Sequence, residues 1–160
     1  MYVIKPVFSV KEIGQTTPIA GAVNRITVTF QTNVEISGDE NQTITLSGLS
    51  NAIADRRIRL ENPLDSFYDA FQFFEFEGLT RFGYFDTAGV AGRAPFSLVL
   101  SMKKGMTFRN GNYKYTFSFD VINPLDGQDA QNVTISGRGT ATFEPVRMRH
   151  SQLVNGNTVD

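Results

Sequence analysis

NYKYTFSFDVINPLDGQDAQNVTIS, residues 112–136, decides the fold class of this chain. Tyr113, Tyr115, Phe117, Phe119 and Val121 alternate there with Lys114, Thr116, Ser118 and Asp120. Successive side chains of a strand point to opposite faces, so one aromatic and one polar set at period two predicts a strand with one buried face. Asn123-Pro124 and Asp126-Gly127 then supply turn residues, and Val133 and Ile135 open a second alternating run. Strand, long turn, strand is the pattern of an antiparallel sandwich. No reactive group lies in the stretch.

Similar runs flank it. Ile26, Val28 and Phe30 share one parity within residues 24–32, Ile44 and Leu46 within 42–47, and Phe96, Leu98, Leu100 and Met102 within 96–102. Residues 2–10 read as a strand with Tyr2, Ile4, Phe8 and Val10 on one side, and residues 140–148 as the last strand. Pro6 and Pro145 cannot donate to a ladder, so both end strands belong at edges or carry bulges. Residues 70–76, AFQFFEF, put Phe71 and Phe73 on one parity and Phe74 and Phe76 on the other. Either a bulge re-aims that strand or both faces are covered, the outer one by another subunit. Leu79 to Asp86 is its expected hairpin partner, while residues 50–69 are irregular and charged. The whole predicts an all-β, immunoglobulin-like Greek-key antiparallel sandwich with enlarged loops. Residues 1–15 form an N-terminal edge or linking strand, 16–150 the sandwich and 151–160 a linker tail.

Composition narrows the function classes. A chain of 160 residues with fourteen Phe and no Trp can bury one thick aromatic core. The formal net charge of −1 and the even scatter of charges argue against nucleic acid, whose phosphates demand a basic face. Arg56, Arg57 and Arg59 are the densest basic cluster, and Asp55 and Glu61 flank them, which suits a salt-bridged edge. The absence of cysteine removes disulfides and thiolate metal sites. No apolar run approaches the ~18 residues of a membrane helix.

Nothing assembles a catalytic set. The single histidine, His150, stands between Arg149 and Ser151, with no nucleophile or orienting carboxylate patterned around it. Glu75 and Glu77, or Asp65 and Asp69, are carboxylate pairs, but Glu75 and Glu77 alternate with phenylalanines as the wet side of an edge does. No cofactor is expected. The nearest to a metal site is Asp126 with Asp129, two oxygen donors in one loop that would suit calcium, although their spacing matches no EF-hand and Asp-Gly turns form without metal. Two glycosylation sequons, at Asn41 and Asn132, each stand where a loop enters a strand.

Three stretches carry a resemblance. TTPIAGAVNRITVTFQTNVEI (16–36), ITLSGL (44–49) and FSFDVINPLDGQDAQNVTISG (117–137) resemble a tandem-repeat β-module of very large, extracellular, fibre-like proteins of algae and other protists. The matching positions are Pro18, Gly21, Asn24, Gly48, Leu49, Asn123, Pro124 and Gln128, about half the chain being covered and residues 50–110 only loosely. The resemblance implies a structural, extracellular or cell-surface role without catalysis: a protomer joined head to tail with copies of itself, with glycans at Asn41 and Asn132. In such arrays a strand like YVIKPVF precedes each Thr-Pro opening and joins one module to the last. Residues 2–10 would then add to a neighbouring sheet, by covalent continuity or strand exchange, with Tyr2, Ile4, Phe8 and Val10 as contacts and Phe74 and Phe76 as a lateral surface. The other reading keeps residues 2–10 as strand one of their own sandwich. The rival function is a carbohydrate-binding or adhesive module, with Tyr68 or Tyr84 stacking on sugars.

Overall fold

A computed structural model of the chain describes residues 3–49, 52–63, 68–86, 97–126 and 132–150, with only the backbone of Glu40, Tyr68, Asp69 and Phe71. In chain order the strands begin β1 (Phe8–Gln15), β2 (Val23–Thr32), β3 (Ile36–Ser37), β4 (Thr43–Ser47) and β5 (Arg57–Arg59). The middle of the chain adds β6 (Tyr68–Asp69), β7 (Phe74–Phe76), β8 (Leu79–Thr80), β9 (Phe82–Asp86) and β10 (Ser97–Met102). The rest are β11 (Thr107–Phe108), β12 (Tyr115–Ile122), β13 (Thr134–Arg138), β14 (Phe143–Arg147) and β15 (Arg149–His150). One sheet runs β15-β1-β2-β12-β6; the other runs β14-β13-β4-β10-β7-β8, with β9 also on β10 and β5 beyond it. The fold is an all-β sandwich of mainly antiparallel sheets.

Alternation builds the core. Ile26, Val28 and Phe30 of β2 and Phe117, Phe119 and Val121 of β12 face Ile44, Leu46, Leu98, Leu100 and Ile135 of the second sheet, all of them buried. Aromatic rings join the layers: Phe8 lies 4.5 Å from Phe143, Phe74 5.8 Å from Phe117 and Phe85 6.3 Å from Phe119. Such pairs add about 0.5–1.5 kcal/mol each beyond the area they bury.

Both flanks of the sandwich are stitched. β14 and β15 form one path that leaves β13 at the buried Met148 and joins β1 in the other sheet. On the opposite flank Ile53 and Glu61 bridge to Ile122 and Ser118 of β12, while β5 between them pairs with β9 of the second sheet. A strand that switches sheets turns a corner and covers edges that would otherwise invite pairing with other chains.

The structure differs from the sequence reading in the first strand, in the Phe-rich segment and in its expected partner, of which only Leu79–Thr80 pairs with β7 while Phe82–Asp86 pairs with β10 and β5. The first strand starts at Phe8 and continues to Gln15; residues 3–7 are extended but outside the ladder. A register shift between Phe8 and Val10 changes parity, so Phe8 and Ile13 both face inward, which strict alternation does not foresee. Residues 8–15 therefore belong to the sandwich rather than to a separate linking strand. In AFQFFEF neither expected remedy applies: a 3-10 turn over Phe71–Phe73 re-phases the chain, leaving Phe74 fully buried and Phe73 stacked on Phe108 at 4.6 Å. The β7–β8 hairpin then closes through Glu77 and Gly78, whose φ of 50° and 80° are those of a type I′ turn. Pro145 stands as expected, on the outermost strand of its sheet at a register shift against β13.

Gly48 ends β4 with φ +98°, and a Cβ there would lie 2.3 Å from the Asn132 carbonyl oxygen. Gly48→Ala combines a left-handed backbone with a clash against backbone, so a loss of about 3 kcal/mol or more is expected. A lowered urea midpoint with an unchanged slope would register it.

Candidate functional site: the two poles of the sandwich

Strand directions define two ends. β1 and β12 run from one pole to the other, β2 returns, and β15 is parallel to β1. The chain therefore enters at the pole of Phe8 and its last described strand heads for the pole of Gln15 and Ile122. We call these the entry pole and the exit pole.

The residues that carry the family-like pattern meet at the exit pole. Asn24 is 2% exposed and acts as a hub. Its Oδ1 accepts from the backbone N–H of Thr16 (3.1 Å) and Thr17 (3.3 Å), while its Nδ2 donates to Gln15 Oε1 (2.8 Å) and Asn123 Oδ1 (2.9 Å). Asn123 Nδ2 in turn donates to the carbonyls of Thr17 (3.0 Å) and Ile19 (2.9 Å). Gly21 N–H donates to Pro124 O and Asn123 N–H to Ala22 O, so the Thr-Pro loop and the Asn-Pro turn are clasped together. Gly48 packs on Asn132 at the same pole, and Leu49 is buried. Gln128 lies outside the described residues. The motif is thus a polar clasp between loops.

The surface of that pole is apolar. Val23, Ile122 and Ile53 stand side by side on adjacent strands, 65%, 38% and 46% exposed. Ile19 and Leu125 extend the patch, Leu125 lying over Gly21. One row inward, Arg25 Nε and Nη2 donate to the two carboxylate oxygens of Asp120 at 2.8 and 3.0 Å. That hydrogen bond holds the Arg25 guanidinium above its ordinary pKa. With both side chains about two-fifths exposed it adds little stability.

The entry pole presents residues 3–7. Asn33 pins this segment: Val7 N–H donates to Asn33 Oδ1 at 2.8 Å and Asn33 Nδ2 donates to Lys5 O at 2.9 Å. Val3, Ile4 and Val7 remain exposed.

The other candidates separate. Tyr2 and Asp129 lie outside the described residues; Asp126 is exposed. Of the proposed contacts Ile4 is open to solvent, Val10 is half-buried on β1, and Phe8 is spent on its own core. Phe74, at 0% exposure, has no surface to offer a lateral neighbour, which corrects its assignment to an interface. Phe76 is half-buried and stacks on Tyr84 at 4.7 Å, with the Arg56 guanidinium 5.7 and 5.8 Å from the two rings. Tyr84 therefore already has one face against Phe76. The backbone of Tyr68 pairs with Tyr115. Asn41 and Asn132 are both exposed, Asn41 in a left-handed conformation. The arginine cluster is an edge as expected, with Arg59 on Glu61 at 3.2 Å and Arg57 over Phe82. His150 pairs with Ile13. Among the described residues no three His, Cys, Asp or Glu converge as a metal site, and no helix is long and apolar enough to cross a membrane.

The sequence reading missed the exit-pole patch. Its residues are scattered over 19–125 and come together only through strand pairing. No family model and no curated protein matches the chain.

Proposed function

We propose that this chain is a structural protomer of an extracellular filament or surface array that assembles head to tail with copies of itself and performs no catalysis. One observation carries the reading: the described chain enters at one pole and runs out toward the other, and each pole exposes apolar side chains. Repetition along that axis is then open-ended, because a heterologous contact does not close on itself. The resemblance to extracellular repeat modules agrees with it, and exposed sequons at Asn41 and Asn132 suit glycans there. Strand order supports an immunoglobulin-like Greek key: β1-β2-β12 and β14-β13-β4 follow the A-B-E and G-F-C orders. The parallel pairing of β6 with β12 departs from that pattern.

The contact segment narrows from residues 2–10 to those ahead of β1, because Phe8 onward is paired with β2. Removing residues 1–6 is expected to abolish sedimenting polymer and filaments in electron micrographs while leaving the melting curve nearly unchanged. Filaments of normal length after that deletion would sink the reading. A carbohydrate-binding role draws less support, since Tyr84 is stacked on Phe76 rather than presented as a free platform.

A further inference from the structure

The head-to-tail reading leaves open what receives the entry segment. We propose that residues 3–7 of one copy dock on the exit-pole patch of the next, formed by Val23, Ile122, Ile53, Leu125 and Ile19. The proposal rests on that reading and specifies its acceptor.

Three observations select this occupant. The first is direction: β1 and β15 run parallel, so a translation along the strands brings one copy's entry pole to the next copy's exit pole. The second is chemical match. The segment offers Val3, Ile4 and Val7, all at least 44% exposed, with Lys5 as its one charge. The patch is apolar, and its rim carries exposed Asp126 beside Leu125 and exposed Asp55 two residues past Ile53. The nearby Arg25 is engaged by Asp120, so it does not repel Lys5. The third is the state of the edges. At this pole Ile53 occupies the free side of β12 through paired hydrogen bonds of 2.8 Å, and β15 occupies the free side of β1. Neither β1 nor β12 therefore offers a free ladder to the entry segment here. What remains is a side-chain socket, which an extended segment with three apolar side chains and one cation fits.

The absence of cysteine makes the contact directly testable. Chains carrying Ile4→Cys and chains carrying Leu125→Cys are mixed under mild oxidation, with Leu79→Cys, on the β7–β8 hairpin of the other sheet, as the exposed control. The expected result is a disulfide heterodimer of the first pair and none with the control. Leu125→Lys, at a site 76% exposed, is expected to keep the melting curve and lose sedimenting polymer. Wild-type polymer without the Ile4–Leu125 heterodimer, or equal coupling to position 79, overturns the acceptor and leaves the head-to-tail reading standing. Absence of the Ile4–Leu125 heterodimer together with a wild-type chain that does not sediment as polymer overturns both.

Discussion

Asn24→Leu is expected to cost about 3–5 kcal/mol, because it strands three polar groups at once. Thr17 N–H, Gln15 Oε1 and Asn123 Oδ1 all lose a partner that is itself 2% exposed, while Thr16 N–H keeps the Arg25 carbonyl at 3.1 Å. Each buried group left unsatisfied costs about 1–3 kcal/mol, and some will recover water because the clasp lies near the surface. Asn24→Asp separates the two halves of the hub. It keeps an acceptor for the two N–H groups but turns an oxygen toward Gln15 Oε1 and Asn123 Oδ1. Gln15 can rotate its amide to donate. Asn123 cannot do so freely, since its Nδ2 already serves the carbonyls of Thr17 and Ile19. The order of stability should therefore be wild type, Asn24→Asp, Asn24→Leu in urea titrations. Faster hydrogen exchange at Thr17 should accompany Asn24→Leu and not Asn24→Asp. A wild-type midpoint for Asn24→Leu would mean that the clasp is not what holds the two loops.

That clasp shows where sequence reading stops. Asn24 and Asn123 were visible as parts of a pattern, but they meet across 99 positions, and no local rule pairs them. Strands of unbroken alternation were legible: residues 24–32, 42–47 and 96–102 became β2, β4 and β10 to within a residue at each end. β12 was legible as a strand for the same reason, but its polar face was misjudged as open: Thr116 and Ser118 are buried as well. The first strand was not, because a bulge between Phe8 and Val10 converts its parity midway. Nor was the exit-pole patch, whose members look like ordinary surface apolar residues until Val23, Ile122 and Ile53 are set in register. Singly, exposed apolar residues signify little; contiguity is what marks them.

The Phe-rich segment turns the same lesson into the largest expected effect. Phe74→Glu is expected to unfold the domain, whereas Phe76→Glu, two residues away, should shift stability by no more than about 1 kcal/mol. Phe74 is fully buried, with Phe108 and Phe117 ring centroids at 5.6 and 5.8 Å. Removing such a ring alone costs about 3–5 kcal/mol, and a carboxylate in its place adds several more unless it protonates. Burial would raise that carboxyl's folded-state pKa above its unfolded value of about 4.3. The native state would then bind more protons than the unfolded state, so stability falls as pH rises through that window. Any fold retained by Phe74→Glu should thus be best preserved in mild acid, a trend that near-ultraviolet circular dichroism can follow. Phe76→Glu gives up the Tyr84 stack but places its carboxylate beside Arg56, which already lies 5.7 Å from the ring it replaces. If the interface reading of Phe74 held, its glutamate variant would be a well-folded monomer at neutral pH. The 3-10 turn at Phe71–Phe73 says otherwise, because it aims Phe74 inward and leaves Phe76 to the surface.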